Sequence, residues 1–211
     1  MSRMHSFLPL TLLLTLAVFL ATPADAKKRK KLLHDIPMVW SPTDEIGDLG
    51  VVDLTKLYDR TIQFGTFTDK RKDPELIAKN IEDQDDGVVL EVTTTDDIGE
   101  WVGSQFALVF EGLGLTLEEE GGDVIVEGEV RRFFVTEDST YKGDVGVLLT
   151  VKSKSGENLW KGMVSGTAGR WGRSYSKGNY FETLSDSTLE AIHNAISDRN
   201  FRKALAGESS N

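Results

Sequence analysis

Cysteine is absent from the 211 residues, and histidine occurs only three times. A chain without thiols has no disulfide and no sulfur nucleophile, so an exported protein of this kind must draw its stability from its core. It also has no cysteine that could carry an acyl-glyceryl anchor behind a leader. Outside the leader only His34 and His193 remain, too few for a zinc site of the usual histidine/cysteine kind. No Walker-type glycine loop and no G-x-S-x-G elbow occurs. Acidic residues outnumber basic ones, 34 to 24. The net charge is −10, and setting aside Lys27, Lys28, Arg29, Lys30 and Lys31 takes the remainder to −15. Such a body lacks the positive surface that phosphate binding needs, which disfavours a nucleic-acid partner.

Acids are plentiful, but their spacing selects no site. Counted from Glu82, an EF-hand loop finds glycine at its sixth position, yet its twelfth position, which needs a bidentate Glu, is Thr93. The stretch 82–87 therefore reads as a solvated turn. A glycosidase would need two acids converging across a cleft, and nothing in the spacing selects such a pair. No metal, no cofactor and no catalytic residue is expected.

The one long apolar run, residues 7–20, has about 14 residues, short of the roughly 20 a bilayer span needs. It ends in Ala24, Asp25 and Ala26, a small-x-small cleavage site, so residues 1–26 read as a signal peptide. The alternative is an uncleaved amino-terminal membrane anchor, which the basic run at 27–31 would orient with its far end in the cytoplasm. Cleavage after Ala26 leaves 185 residues, the size of one domain with tails. The chain is thus expected to be exported, as a periplasmic or peripherally envelope-associated protein. Lys27, Lys28, Arg29, Lys30 and Lys31 then either touch an anionic membrane or polymer or form a solvated tail.

Residues 27–61 read as a basic, extended lead-in punctuated by Pro37, Pro42, Gly47 and Gly50. Residues 62–206 read as a single α+β domain, and residues 207–211 as a tail. Alternation predicts a first strand over 62–67, and Asp73 before Pro74 predicts a short helical turn over 74–80. Residues 88–94 are strand-like. Asp97 and Glu100 have the spacing of a capping box, and Trp101, Val102, Gln105, Phe106, Val109 and Phe110 make a helical stripe behind it.

After a short strand at 115–117 comes a three-strand meander over 123–166, with alternating Val124, Val126 and Val130, a bulge near Arg131 and Arg132, and turns at 136–144 and 155–158. A closing helix from about Asn179 carries Phe181, Leu184, Leu189 and Ile192. The fold class is α+β: a mixed, largely antiparallel sheet with two amphipathic helices packed on one face.

One stretch differs from the acidic body. Residues 166–180 mix glycines with Arg170, Trp171, Arg173, Tyr175 and Lys177. Aromatics and arginine are favoured at binding hot spots, so these five read as a contact site for a protein or anionic envelope polymer; the alternative reading is a plain connector between the last strand and helix.

In order along the chain, the 62–67 strand before Asp69, Lys70 and Arg71, the segment from Asp97 and Trp101 to Gly114, and residues 124–130 before Phe133, Phe134 and Val135 form a recognisable series. Residues 143–152 and 156–162 and a final helix with Tyr180, Leu184 and Leu189 complete it. The series, about residues 60–205, resembles the YajG-like bacterial envelope lipoproteins. That resemblance implies a mixed sheet with two helices on one face, similar to the amino-terminal domain of TolB and to CsgG and LpoB. It brings no catalytic residues. Members of that family usually carry a lipobox cysteine, and this chain has none. The resemblance therefore implies a non-catalytic accessory protein that binds an envelope partner. A small-molecule or lipid carrier with a pocket between sheet and helices is the alternative, and an envelope hydrolase a third reading.

Overall fold

The computed structural model describes residues 32–47, 52–172 and 174–209; the leader, the basic run at 27–31 and Arg173 lie outside the described residues. The spine of the body is β5 (Val124–Glu137), a strand of 14 residues. One of its edges pairs antiparallel along its whole length with β6 (Thr140–Ser153), which pairs antiparallel with β7 (Asn158–Trp171). Two short strands share the other edge end to end. β1 (Thr61–Asp69) runs parallel to residues 124–130, and β2 (Leu76–Asn80) runs parallel to residues 135–137. β4 (Thr116–Leu117) lies outside β1, and β3 (Leu90–Thr93) outside β2. The sheet is mixed, with its long pairs antiparallel, as the alternation predicts.

Two long helices cover one face. α1 (Ile98–Gly112) begins where Asp97 accepts the Glu100 amide at 3.0 Å, which satisfies one of the orphan donors of the first turn. It buries Val102, Phe106, Val109 and Phe110. α2 (Lys177–Ser197) lies on β6 and β7, and α3 (Arg199–Leu205) follows, capped by Asp198 on the amides of Asn200 and Phe201. Phe110 of α1, Phe201 of α3 and Trp160 of β7 join two of the helices to the sheet edge-on, with centroids 6.5 Å and 5.0 Å apart. α2 sits close against the sheet at Gly143 and Gly166, which leave room for it. A Cβ on Gly166 would overlap the backbone of Ser187 and Ala191, and one on Gly143 would meet Thr183 and Ser187.

Three expectations change. Residues 76–80 form β2, not a helical turn. The carbonyls of Pro74 and Leu76, which a helix would have used internally, accept from the guanidinium of Arg71 instead, and the vacant half of the β5 edge takes the strand. The connection placed at 136–144 shrinks to Asp138 and Ser139 between β5 and β6. There the Asp138 carboxylate accepts from the Lys142 ammonium and then from the Thr140 amide, which holds it well below the usual carboxylate range. Last, β7 does not end at Gly166 but runs on to Trp171.

Arg71 closes the gap between β1 and β2. Its guanidinium binds the Asp69 carboxylate in a fork at 2.7–3.1 Å and donates to the Leu76 and Phe133 carbonyls at 2.9 and 3.1 Å. The expected bulge, between Val130 and Arg132, lies beside this gap. The lead-in crosses the same region: Leu33 bridges Val92, Met38 donates to Asp96, Trp40 packs edge-on against Trp101 at 5.8 Å, and Ser41 and Thr43 reach Ser185 and Asp186 on α2.

Candidate functional site

The corner where β7 gives way to α2 is built on a buried carboxylate. Residue parity along β5, counted through the bulge, turns Phe133, Val135 and Glu137 toward the helices, and all three are buried. A buried carboxylate is costly unless its oxygens are satisfied. One Glu137 oxygen accepts the Tyr175 amide at 3.0 Å and the other accepts the Tyr180 hydroxyl. Tyr175 reaches this place with φ of 45°, a left-handed conformation rare outside glycine. Its hydroxyl donates to the Glu91 carbonyl at 2.8 Å and accepts from the Leu33 amide at 3.2 Å. The Tyr141 hydroxyl accepts the Ser176 amide at 3.2 Å, and the rings of Tyr141 and Tyr175 stand edge-on to that of Tyr180 at 5.0 and 6.1 Å.

These bonds tie the connector to β5, β6, β3 and the lead-in at once. Burial, and then the Glu137 carboxylate, push the Tyr180 hydroxyl far above its ordinary value, so it stays a donor. A raised folded-state value means that the stability it contributes is complete below the unfolded tyrosine pKa of about 10 and falls as pH rises beyond it. Tyr180→Phe should therefore lower stability by about 1.5–3 kcal/mol, the range for a hydrogen bond to a charged group, and flatten its decline above that pH. Urea titrations at neutral and alkaline pH check both, and equal stability of the two chains at neutral pH would refute it.

Of the five expected contact residues, the structure brings Arg170, Trp171, Tyr175 and Lys177 to this one corner and divides their roles. Tyr175 is buried and faces inward. Arg170 pairs with Glu182 on α2, fastening the end of β7 to the helix. Trp171 is 87% exposed, the most exposed of the large apolar side chains described, and Lys177 is exposed on the first turn of α2. Glu137 and Tyr180 were missing from the expected set. The parity of β5 is the signal that would have found Glu137.

Carboxylates do gather elsewhere. Asp69, Glu75, Asp96 and Asp97 line a surface groove beside the start of α1, but three are already engaged, Asp69 by Arg71, Asp96 by the Met38 amide and Asp97 as the helix cap. Among the described residues no group of three metal-ligating side chains comes together. The space between sheet and helices is filled by Phe67, Phe106, Phe110 and Phe133.

No protein-family model matches the chain, and no curated protein matches it. The fold, however, has a solved counterpart. A Xanthomonas campestris protein of the DUF330 family superimposes with a TM-score of 0.52 at 9% identity, over 77% of this chain and 91% of that one. At that identity the likeness is one of fold. A minor lipoprotein of Acinetobacter baumannii matches more loosely, with a TM-score of 0.35 at 12% identity over 70% of this chain and 93% of its own. Among the described residues no helix is long and apolar enough to cross a membrane.

Proposed function

We propose that the protein is a non-catalytic accessory protein of the bacterial envelope, of the YajG-like kind, exported and held there by binding a protein or an anionic envelope polymer. The observation that carries this reading is Trp171: a tryptophan 87% exposed on a corner whose backbone is pinned from beneath by Glu137, Tyr175 and Tyr180. A rigid aromatic anchor costs little ordering entropy on binding, and tryptophan is among the residues that dominate interfaces. Lys177, exposed on the first turn of α2, supplies the charge that an anionic partner needs, with Arg173 between the two in sequence. The run Lys27, Lys28, Arg29, Lys30 and Lys31 gives a second, purely electrostatic contact with an anionic membrane surface, worth about 1 kcal/mol per residue.

Trp171→Ala combined with Lys177→Ala removes only exposed side chains, so the circular dichroism spectrum and unfolding midpoint should stay those of the parent. Retention of the protein on a washed envelope fraction should fall at least tenfold. Retention equal to the parent's would remove this corner from consideration.

A further inference from the structure

The body is acidic as a whole, yet one cleft on it is lined by cations. Lys56, Arg199, Arg202 and Lys203 surround a space of about 250 Å³, with Leu57 and Asp53 completing the lining. The cleft lies at the other end of the sheet from the Trp171 corner. Trp160, near the start of β7, stands 5.0 Å from Phe201 of α3, and Trp171 closes the same strand, about 35 Å further on.

The cleft has a fixed frame. Leu57 is buried at its base, and α3 is seated by Phe201, Ala204 and Leu205, all buried. Arg199, Arg202 and Lys203, at offsets of three and four, share one side of that helix. The guanidinium of Arg202 is held in place by donating to the Ile196 carbonyl, at the end of α2, at 2.6 Å. Asp53 is the one acid in the lining. Its carboxylate is already engaged by the amide and hydroxyl of Thr55, at 3.0 and 2.6 Å.

This arrangement works against the stability of the free chain. Like charges three and four apart on a helix repel. Arg199 is also the first residue of α3, where positive charge opposes the helix dipole. Among the described residues neither Arg199 nor Lys203 forms an ion pair that would offset the repulsion. Lys56 does pair with Glu208 at 3.1 Å, but the two side chains are 75% and 47% exposed, and such a pair is easily exchanged for another. Side chains that destabilise the free protein are expected where binding requires them.

We propose that this cleft is a phosphate-binding site, separate from the Trp171 corner. Its volume falls below the roughly 300 Å³ of pockets that enclose drug-sized molecules, so it takes a small charged group. Guanidinium forks match phosphate oxygens, and ammonium groups add point charge. The phosphate is either free or carried on the headgroup of an anionic lipid.

The test is a titration of the full exported chain with inorganic phosphate, followed by heteronuclear NMR, with ionic strength held constant by sodium chloride. The signals of Lys56, Arg199, Arg202 and Lys203 should move together, with a dissociation constant of the order of 10⁻³ M. Arg199→Gln with Lys203→Gln should weaken binding about tenfold or more, while Arg202 keeps its bond to Ile196. Lys79→Gln with Lys142→Gln removes the same charge elsewhere and should leave the constant within about twofold of the parent's. Co-sedimentation with phosphatidylcholine vesicles containing phosphatidylglycerol separates the two sources. The basic run at 27–31 is common to parent and variant, so their difference reports the cleft alone. Weaker sedimentation of the Arg199→Gln, Lys203→Gln variant, with inorganic phosphate competing against the parent, identifies a lipid headgroup. Equal sedimentation, with phosphate binding lost only in that variant, identifies free phosphate. Failure of phosphate to move these signals overturns the proposal whatever the vesicles do, and so does equal weakening by the two double substitutions.

Discussion

Arg71→Ala is expected to lower the unfolding free energy by about 3–5 kcal/mol, the range seen when one partner of a buried ion pair is removed. Arg71 is 7% exposed in its side chain and Asp69 12%, so solvent screens little of this pair. Removing the guanidinium strands the Asp69 carboxylate and leaves the Leu76 and Phe133 carbonyls without their donor. It also takes away the cation 5.6 Å from the centre of the Phe133 ring, and with it the guanidinium bonds that tie the end of β1 to the start of β2. Arg71→Lys should recover less than half of the loss, since an ammonium cannot reproduce a planar fork of five donors. Equilibrium denaturation in urea reads both values. A midpoint for Arg71→Ala within experimental error of the parent's would show that the gap between the two strands needs no closure.

Gly166→Val is the second large effect. The position is buried against α2, and any Cβ there overlaps backbone atoms of Ser187 and Ala191, not the movable end of a side chain. The helix would have to lift along Thr183, Ser187 and Ala191, loosening the cover of β6 and β7 together. Overpacking ordinarily costs about 1–3 kcal/mol; with rigid helix backbone as the obstacle, we expect at least 3 kcal/mol or failure to fold. Gly169→Ala is the matched control three residues on, where a Cβ meets nothing within 4 Å, and it should be neutral to within about 0.5 kcal/mol. If both substitutions proved equally mild, α2 would not be seated against the sheet at Gly166.

The contrast between these residues shows what could be read from the sequence. α1 announces itself because its cap, its stripe and its glycine terminator all lie within residues 97–114, and local signals agree there. The bulge near Arg131 is legible for a similar reason: it breaks a period that resumes at Phe133. β2 was misread because residues 73–80 carry a helix-start signal, whereas the strand they form is specified by residues 135–137, more than 50 positions away. In sequence Arg71 is one charge among several at 69–73, and no local pattern says that a carbonyl of Phe133 will need it. Nor do the glycines at 143 and 166 reveal their use until Ser187 and Ala191 are known to lie above them. At the candidate site, Trp171 and Tyr175 are indistinguishable by composition. The fold exposes one and buries the other, because Glu137 beneath the connector requires a donor.

The shared edge of β5 also bears on how the chain reaches its native state. β5, β6 and β7 are consecutive and joined by short turns, so they can zip together through contacts close in sequence, at little loop-closure entropy. β1 and β2 have no such advantage. Each must find its half of the same strand across a long excursion, Ile62 meeting Val124 and Ala78 meeting Val135. The meander is then the nucleus and the parallel strands are late arrivals, docking on a surface already in place. Arg71 belongs to that final step, so its loss should accelerate unfolding while leaving the rate of folding almost untouched.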